Sequence, residues 1–268
     1  MSFQTELEFA SLSHTGLVRA HNEDAVEVRA DAGIAILADG MGGYNAGEVA
    51  SRMCVEVVSQ YLQQKQQAAW SSILPRGTSS AARWINDAIT LANTRVLEAA
   101  NQHVEYVGMG TTVVVALFHQ DKMLIGHVGD SRAYRLRGSE MVQITHDHSV
   151  LQAQIDAGLI SKENAQFSPI KNLITRAVGA QSDIEIEVHD HHVEVGDVFL
   201  LCSDGLSDMV GATELEQILL SHASQLQQGC QALVDVANKH GGRDNISVVL
   251  VKVHSIQQRS LMGQIFST

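Results

Sequence analysis

The sequence predicts an α+β protein in which strands and helices are segregated rather than alternating, and three observations carry that prediction. Strand-like segments come in consecutive runs, helical patterns come in two separate pairs, and nothing resembling a linker divides the chain. The chain has 268 residues and two prolines, Pro75 and Pro169. One domain spanning 1–268 with a single extended core is therefore expected.

Taken in order, Glu6 to Ser11 alternates loosely and predicts a first strand, followed by a turn around His14-Thr15-Gly16 and a polar stretch from Arg19 to Asp24. Strands at Ala25–Ala30 and Ile34–Ala38 are expected to pair across Asp31-Ala32-Gly33. A helix follows Gly42-Gly43, with Asn45 as its cap and Glu48 reaching back. Val49, Met53, Val57 and Tyr61 form its expected buried stripe. A second helix follows the Pro75/Gly77 loop, with Ile85, Ile89, Ala92 and Val96 inward. From Thr112 the period becomes that of strands. Thr112–Phe118, Met123–Val128, Ala133–Leu136 and Met141–Thr145 predict an antiparallel meander with short turns. Regularity drops between His146 and Asp183, apart from a short helix over Val150–Ala157 that Gly158 ends. A long, weakly patterned insert of this kind predicts a mobile flap over a site. Strands resume at Ile184–Val188 and Val198–Cys202, then helices at Thr213–Ser221 and Gln225–His240, then a last strand at Ile246–Val253. Helical spacing at Ile256, Leu261 and Ile265 predicts that the tail packs against the body.

Composition narrows the function classes. No apolar run approaches the roughly 20 residues that span a bilayer, so membrane insertion is not expected. The first residues lack the basic flank and apolar core of a signal peptide, so export is not expected either. Cys54, Cys202 and Cys230 are odd in number and far apart, which fits a reducing cytoplasm and offers no thiolate metal spacing. A net charge of −12 with no Lys/Arg stripe argues against nucleic acid as a partner.

The chemistry sits in acids at the edges of apolar runs. Ile34–Ala38 runs into Asp39-Gly40, and Val198–Ser203 runs into Asp204-Gly205; Leu124–Gly129 stops at Asp130, and Asp244 precedes Ile246–Val251. Any one Asp-Gly is first of all a turn dipeptide. If the strands are neighbours, four carboxylates meet at one rim, where they repel unless a cation lies among them. Hard oxygen donors without Cys or clustered His select magnesium or manganese. Glycine beside the acid lets backbone approach an ion closely.

In order along the chain stand Arg19-Ala20-His21-Asn22-Glu23-Asp24, Asp39-Gly40-Met41-Gly42-Gly43, Gly110-Thr111-Thr112, Gly129-Asp130-Ser131-Arg132, Ser203-Asp204-Gly205-Leu206-Ser207-Asp208 and Gly242-Arg243-Asp244-Asn245. This series resembles that of the metal-dependent PPM (PP2C-type) serine/threonine protein phosphatases in their compact bacterial form, over about Glu6 to Val253. The resemblance implies a sandwich of two antiparallel sheets with a helix pair outside each, and two or three Mg2+ or Mn2+ ions at one end. It further implies that Asp39 bridges two ions with the Gly40 carbonyl on the first, and that Asp204 and Asp244 serve the second. Glu23 and Asp24 would position ion-bound waters, Asp130 with Asp204 and Asp208 would serve a third ion, and Arg19 would bind phosphate. A water shared by two dications, acidified toward neutrality, would attack phosphorus directly.

Two departures stand out. Eukaryotic relatives carry a histidine after the bridging Asp-Gly, proposed as general acid, where this chain has Met41; protonation would then come from an ion-bound water or from His21, His127, His146 or His148. His14 stands where bacterial members often have an acid, and Tyr44 where many have histidine, and both bear on substrate preference. The resemblance implies phosphorylated proteins as substrates, a serine/threonine kinase as counterpart and a monomer. The rival readings are a phosphoprotein-binding module without turnover, which predicts missing acids, and a metal-dependent phosphodiesterase or nuclease, against which the acidic charge stands.

Overall fold

A computed structural model describes residues 2–43, 46–71, 78–161, 164 and 173–259. In chain order the elements are β1 (Ser2–His14), β2 (Asp24–Arg29), β3 (Ile34–Met41), α1 (Ala46–Ser71), α2 (Thr78–Gln102), β4 (Gly110–Thr111), β5 (Val113–His119), β6 (Lys122–Val128), β7 (Arg132–Arg137) and β8 (Glu140–Gln143). They continue with α3 (Val150–Asp156), β9 (Glu187–His192), β10 (Val198–Cys202), α4 (Asp204–Ser207), α5 (Ala212–His222), α6 (Leu226–Lys239) and β11 (Ile246–Arg259). One sheet has the order β1-β11-β10-β7-β8; the other has β2-β3-β5-β6-β9, with β4 paired to the end of β3, and every pairing is antiparallel.

Side-chain alternation decides the layering. Along β3, Ile34, Ile36 and Ala38 join one core with α1 and α2, while Ala35 and Leu37 join a second core facing the opposite sheet. Phe199, Leu201, Val249 and Val251 meet them from that sheet, whose other face, at Leu200, Cys202, Val248 and Leu250, packs under α5 and α6. Four layers result, helices outside two sheets. Strands buried on both faces lose the polar alternation of half-exposed ones, which is why the central runs read as continuously apolar. Among the described residues no helix is long and apolar enough to cross a membrane.

Several expectations need correction. The expected meander is split, because β5 and β6 pair in one sheet and β7 and β8 in the other; the chain changes sheet at Gly129-Asp130. On α1 the fully buried stripe is Ala50, Cys54, Val58 and Leu62, and Val49, Met53, Val57 and Tyr61 flank it half-buried. Small residues at 46, 50 and 54 bring that helix close to the sheet, which an apolarity count undervalues. The strand expected at Ile184–Val188 begins at Glu187, the short helix α4 after β10 was not foreseen, and Ser255 to Arg259 extend β11 against β1 rather than forming a helix. On α2 the expected stripe is the buried one. The Asn45 cap, Tyr44, the tail beyond 259 and much of the expected flap lie outside the described residues.

Candidate active site

The acids gather where the strand ends of both sheets meet. Asp24 and Asp39 are direct partners in the β2–β3 ladder, which sets their side chains on the same face at cross-strand distance. Asp204 opens α4 after β10, Asp244 stands two residues before β11, and Asp130 lies on the crossing between sheets. Of the acid-bearing strands, β10 and β11 are neighbours in one sheet, while β3 faces them from the other. The rim is therefore built across the sandwich rather than along one sheet.

The backbone that carries these acids is packed without room for a side chain. A Cβ on Gly40 would stand 2.1 Å from the Gly47 carbonyl oxygen at the start of α1, and one on Gly205 would stand 1.9 Å from that of Asn245. Asn245 ties the site together. Its Oδ1 accepts from the Glu23 amide at 2.8 Å, and its Nδ2 donates to the carbonyls of Thr15 and His21 at 2.9 and 2.8 Å, pinning the loop that carries Arg19, Glu23 and Asp24. Ser203 Oγ donates to Asp24 at 2.9 Å and accepts from the Ser247 amide at 3.0 Å. Thr112 Oγ1 accepts from the Asp39 amide at 3.1 Å and pairs with Ser131 Oγ at 2.7 Å, linking two of the acid-bearing corners. Sequence reasoning assigned no role to Asn245, Ser203 or Thr112, although all three stand inside its motifs; a buried hydrogen-bonding job leaves no periodic signature.

The electrostatics are those of a crowded anionic cleft. Burial first, and Asp24, Asp204, Asp130 and Asp244 after it, hold Asp39 well above the usual carboxylate range. Asp204 is raised in the same way, by burial and then by Asp130, Asp208, Asp244 and Asp24. Burial lifts Asp24 and Asp130 to about 6, and lifts Glu23 as well. Glu23 Oε1 and Asp24 Oδ1 are buried without a hydrogen-bond partner. Arg19 is the neutralising cation here: its Nη2 donates to Asp244 Oδ2 at 2.6 Å, from a side chain 52% exposed.

Buried orphan oxygens and mutually repelling carboxylates, with no thiol among them, fit a hard divalent ion such as Mg2+ or Mn2+. The aspartate oxygens are not drawn into a tight knot. Among the described residues, the trio whose ligand atoms all lie within 4.8 Å of one another is instead His127, His148 and Glu187. A looser acid ring suits an ion that keeps several of its waters.

That histidine trio holds a cation of the protein's own. Arg176 Nη1 lies 3.0 Å from His148 Nε2 and 3.4 Å from Glu187 Oε1. Burial brings His127 down to about 4 and also lowers His148; burial raises Glu187, but bonds from His148 and His189 outweigh it and leave that carboxyl at about 2. Neutral histidines around an ionised glutamate and a guanidinium result. Of the other candidate proton donors, His146 Nε2 pairs with Asp156 at 2.7 Å, and His21 offers its carbonyl to Asn245. Beside the acids a cleft of about 250 Å³ runs between Asp130, Asp204 and Asp208 on one side and Leu151, Gln152 and Ile155 of α3 on the other.

Known proteins share this architecture. The family described as Protein phosphatase 2C matches residues 14–245. The serine/threonine phosphatase stp of Listeria monocytogenes is 38% identical over 241 residues, covering 88% of this chain and 92% of that protein. The crystal structure of Stp1 from Staphylococcus aureus superposes with a TM-score of 0.85 at 29% identity, over 95% of this chain and 98% of that one. The catalytic domain of the serine/threonine phosphatase PstP, solved in complex with two manganese ions, gives a TM-score of 0.81 at 33% identity, over 93% of this chain and 99% of that one.

Proposed function

This chain belongs to the protein phosphatase 2C family and is a metal-dependent serine/threonine protein phosphatase, and from that footing we propose which of its residues serve the reaction. Asp39 would be shared by two ions, with the Gly40 carbonyl serving one and Asp204 and Asp244 the other. Glu23 and Asp24 would hold waters of the ions, and Asp130, Asp204 and Asp208 would serve a third. The observation that carries this reading is the pair of buried, unpartnered oxygens of Glu23 and Asp24 beside Asp39 and Asp204, carboxyls that burial and repulsion hold far above their usual range.

Divalent ions held there would supply a water acidified toward neutrality for direct attack on phosphorus, with no covalent enzyme intermediate needed. The chain's own residues bind and orient. Arg19, half-exposed and resting on Asp244, is free to exchange that carboxylate for two oxygens of a phosphate dianion, a geometry its planar fork suits. Met41 donates no proton, His127 and His148 are buried in hydrogen bonds of their own, and His146 is held by Asp156, which leaves water and the exposed His21 ring as proton sources for the leaving alkoxide. The substrates are phosphoserine and phosphothreonine proteins, the products of a serine/threonine kinase. The three free cysteines, all buried, support a cytoplasmic setting.

The test is manganese-dependent phosphate release from a phosphothreonine peptide. Asp39→Asn should lower the rate by about a hundredfold or more, and a rate equal to wild type would overturn the bridging role.

A further inference from the structure

The crossing between sheets at Gly129-Asp130 is gripped by one residue from the base of the flap. The His148 amide donates to the Gly129 carbonyl at 3.0 Å, and the Gly129 amide donates back to His148 Nδ1 at 3.2 Å. Both polar groups of the residue before Asp130 are thereby committed to His148. Gly129 has φ +104°, and a Cβ there would lie 2.6 Å from Thr112 Cγ2, so this corner has one shape available to it.

Hydrogen bonding fixes the state of the His148 ring. Because Nδ1 accepts from an amide, Nε2 carries the hydrogen and donates to Glu187 Oε1 at 3.0 Å. Arg176 Nη1, also a donor, stands beside Nε2 and is held there by the same carboxylate, while its Nη2 pairs with Glu185 at 2.6 Å. The His127 ring stacks on His148 with centroids 4.7 Å apart and planes 19° apart, and its Nε2 donates to the His146 carbonyl at 2.8 Å. A metal in this trio would have to displace the guanidinium and strip the Nε2 hydrogen while Nδ1 still faces an amide N–H. The trio is thus a brace made of protein.

We propose that His148, braced by Glu187 and Arg176, is a positioning residue that sets the Gly129-Asp130 corner and with it the grip of Asp130 on a divalent ion; this rests on the reading of Asp130 as an ion ligand given above. Groups one step behind a metal ligand commonly govern its affinity by 10- to 100-fold. The neighbours of His148 are anchored independently. Arg132 holds Asp147 through Nε and Nη2, and Ser149 bridges to Ile174. Removing the ring should therefore loosen Gly129 without releasing the segment. Arg176 is also where the flap returns to the body, with the Thr175 amide on the His148 carbonyl at 2.8 Å, so the brace joins the flap root to the acid rim.

The test is a Mn2+ titration of the metal-stripped full chain without substrate, with free Mn2+ read by electron paramagnetic resonance. His148→Leu should weaken the loosest bound ion by about tenfold and leave the others unchanged, whereas His148→Asn, which returns an acceptor near the Nδ1 position, should stay within about threefold of wild type. Glu187→Ala, at the half-exposed end of the brace, should shift the same ion in the same direction by a smaller factor. Wild-type titration of His148→Leu, or of Glu187→Ala should the leucine variant not fold, would overturn the proposal, as would equal weakening in the leucine and asparagine variants. Asp130→Asn separates the two readings. If it binds as many ions as wild type, the role of Asp130 fails; if it loses an ion while His148→Leu does not, the positioning role alone fails.

Discussion

Gly205 shows what a single residue decides in this site. It follows Asp204 and leads into β11's neighbourhood, and the Asn245 carbonyl oxygen lies where its Cβ would be, at 1.9 Å. Backbone on both sides is fixed, by the Ser203–Ser247 pairing and by the three side-chain bonds of Asn245, so neither partner yields cheaply. Gly205→Ala should therefore cost about 3 kcal/mol of stability by overpacking, visible as a lower midpoint in urea, and should reduce phosphopeptide hydrolysis at 20 °C, where the variant is still folded. Unchanged midpoint and rate would show that the contact relaxes freely. Asp39, Asp204 and Asp130 were legible in sequence because a carboxylate beside a glycine at the end of an apolar run violates ordinary burial preferences, and Asp244 because it stands at the edge of the apolar run Ile246–Val251. Asn245 and Ser203 were not, since a polar residue that satisfies its neighbours looks like any turn residue until the neighbours are known.

At the scale of elements, the flap expected over 146–183 is anchored at both described ends. Arg132 ties its entry through Asp147, and Arg176 ties its exit through Glu187 and Glu185. The acid-lined cleft opens against α3, which starts where that entry is tied. If this element helps choose substrates, a protein substrate will sense it while a small aryl phosphate need reach only the acids. Exchanging residues 150–172 for those of a relative should change the ranking of phosphopeptide substrates and leave aryl phosphate hydrolysis within about twofold, read as kcat/KM on a peptide panel. An unaltered ranking would remove the flap from substrate choice. The elements themselves were readable where one face meets the core, as on α2. The sheet membership of β5 and β6 was misread where both faces are buried, because continuous apolarity reports burial and carries no record of which sheet a strand joins.

For the whole molecule, folding assembles a charge problem that ions relieve. Asp24 and Asp130 stand at about 6 in the folded chain against an ordinary 3.8. The folded chain therefore holds protons that the unfolded chain has released, and without ions its stability falls as pH rises from about 4 through 6. If Asp24 and Asp130 serve the ions as proposed, ion binding runs the other way, since it needs those carboxyls ionised. The difference in melting temperature between manganese-loaded and chelator-treated protein should be small at pH 5 and widen toward pH 7, followed by scanning fluorimetry. A gap that does not change with pH would mean that the acids are not what the ions neutralise.

The chemistry could be read from residue types alone: oxygen donors of a hard-metal kind, glycines where backbone must come close, and an arginine suited to phosphate, because donor type and local turn preference are properties of short segments. Folding in three dimensions was needed to show that the rim is assembled from two opposed sheets, that Arg19 rests on Asp244, and that a buried histidine clamps the Asp130 corner. Those relations join residues up to 225 positions apart, as in the Arg19–Asp244 contact. They are chosen by which strands pair and which faces pack, a long-range free-energy balance to which no single stretch of the chain holds the key.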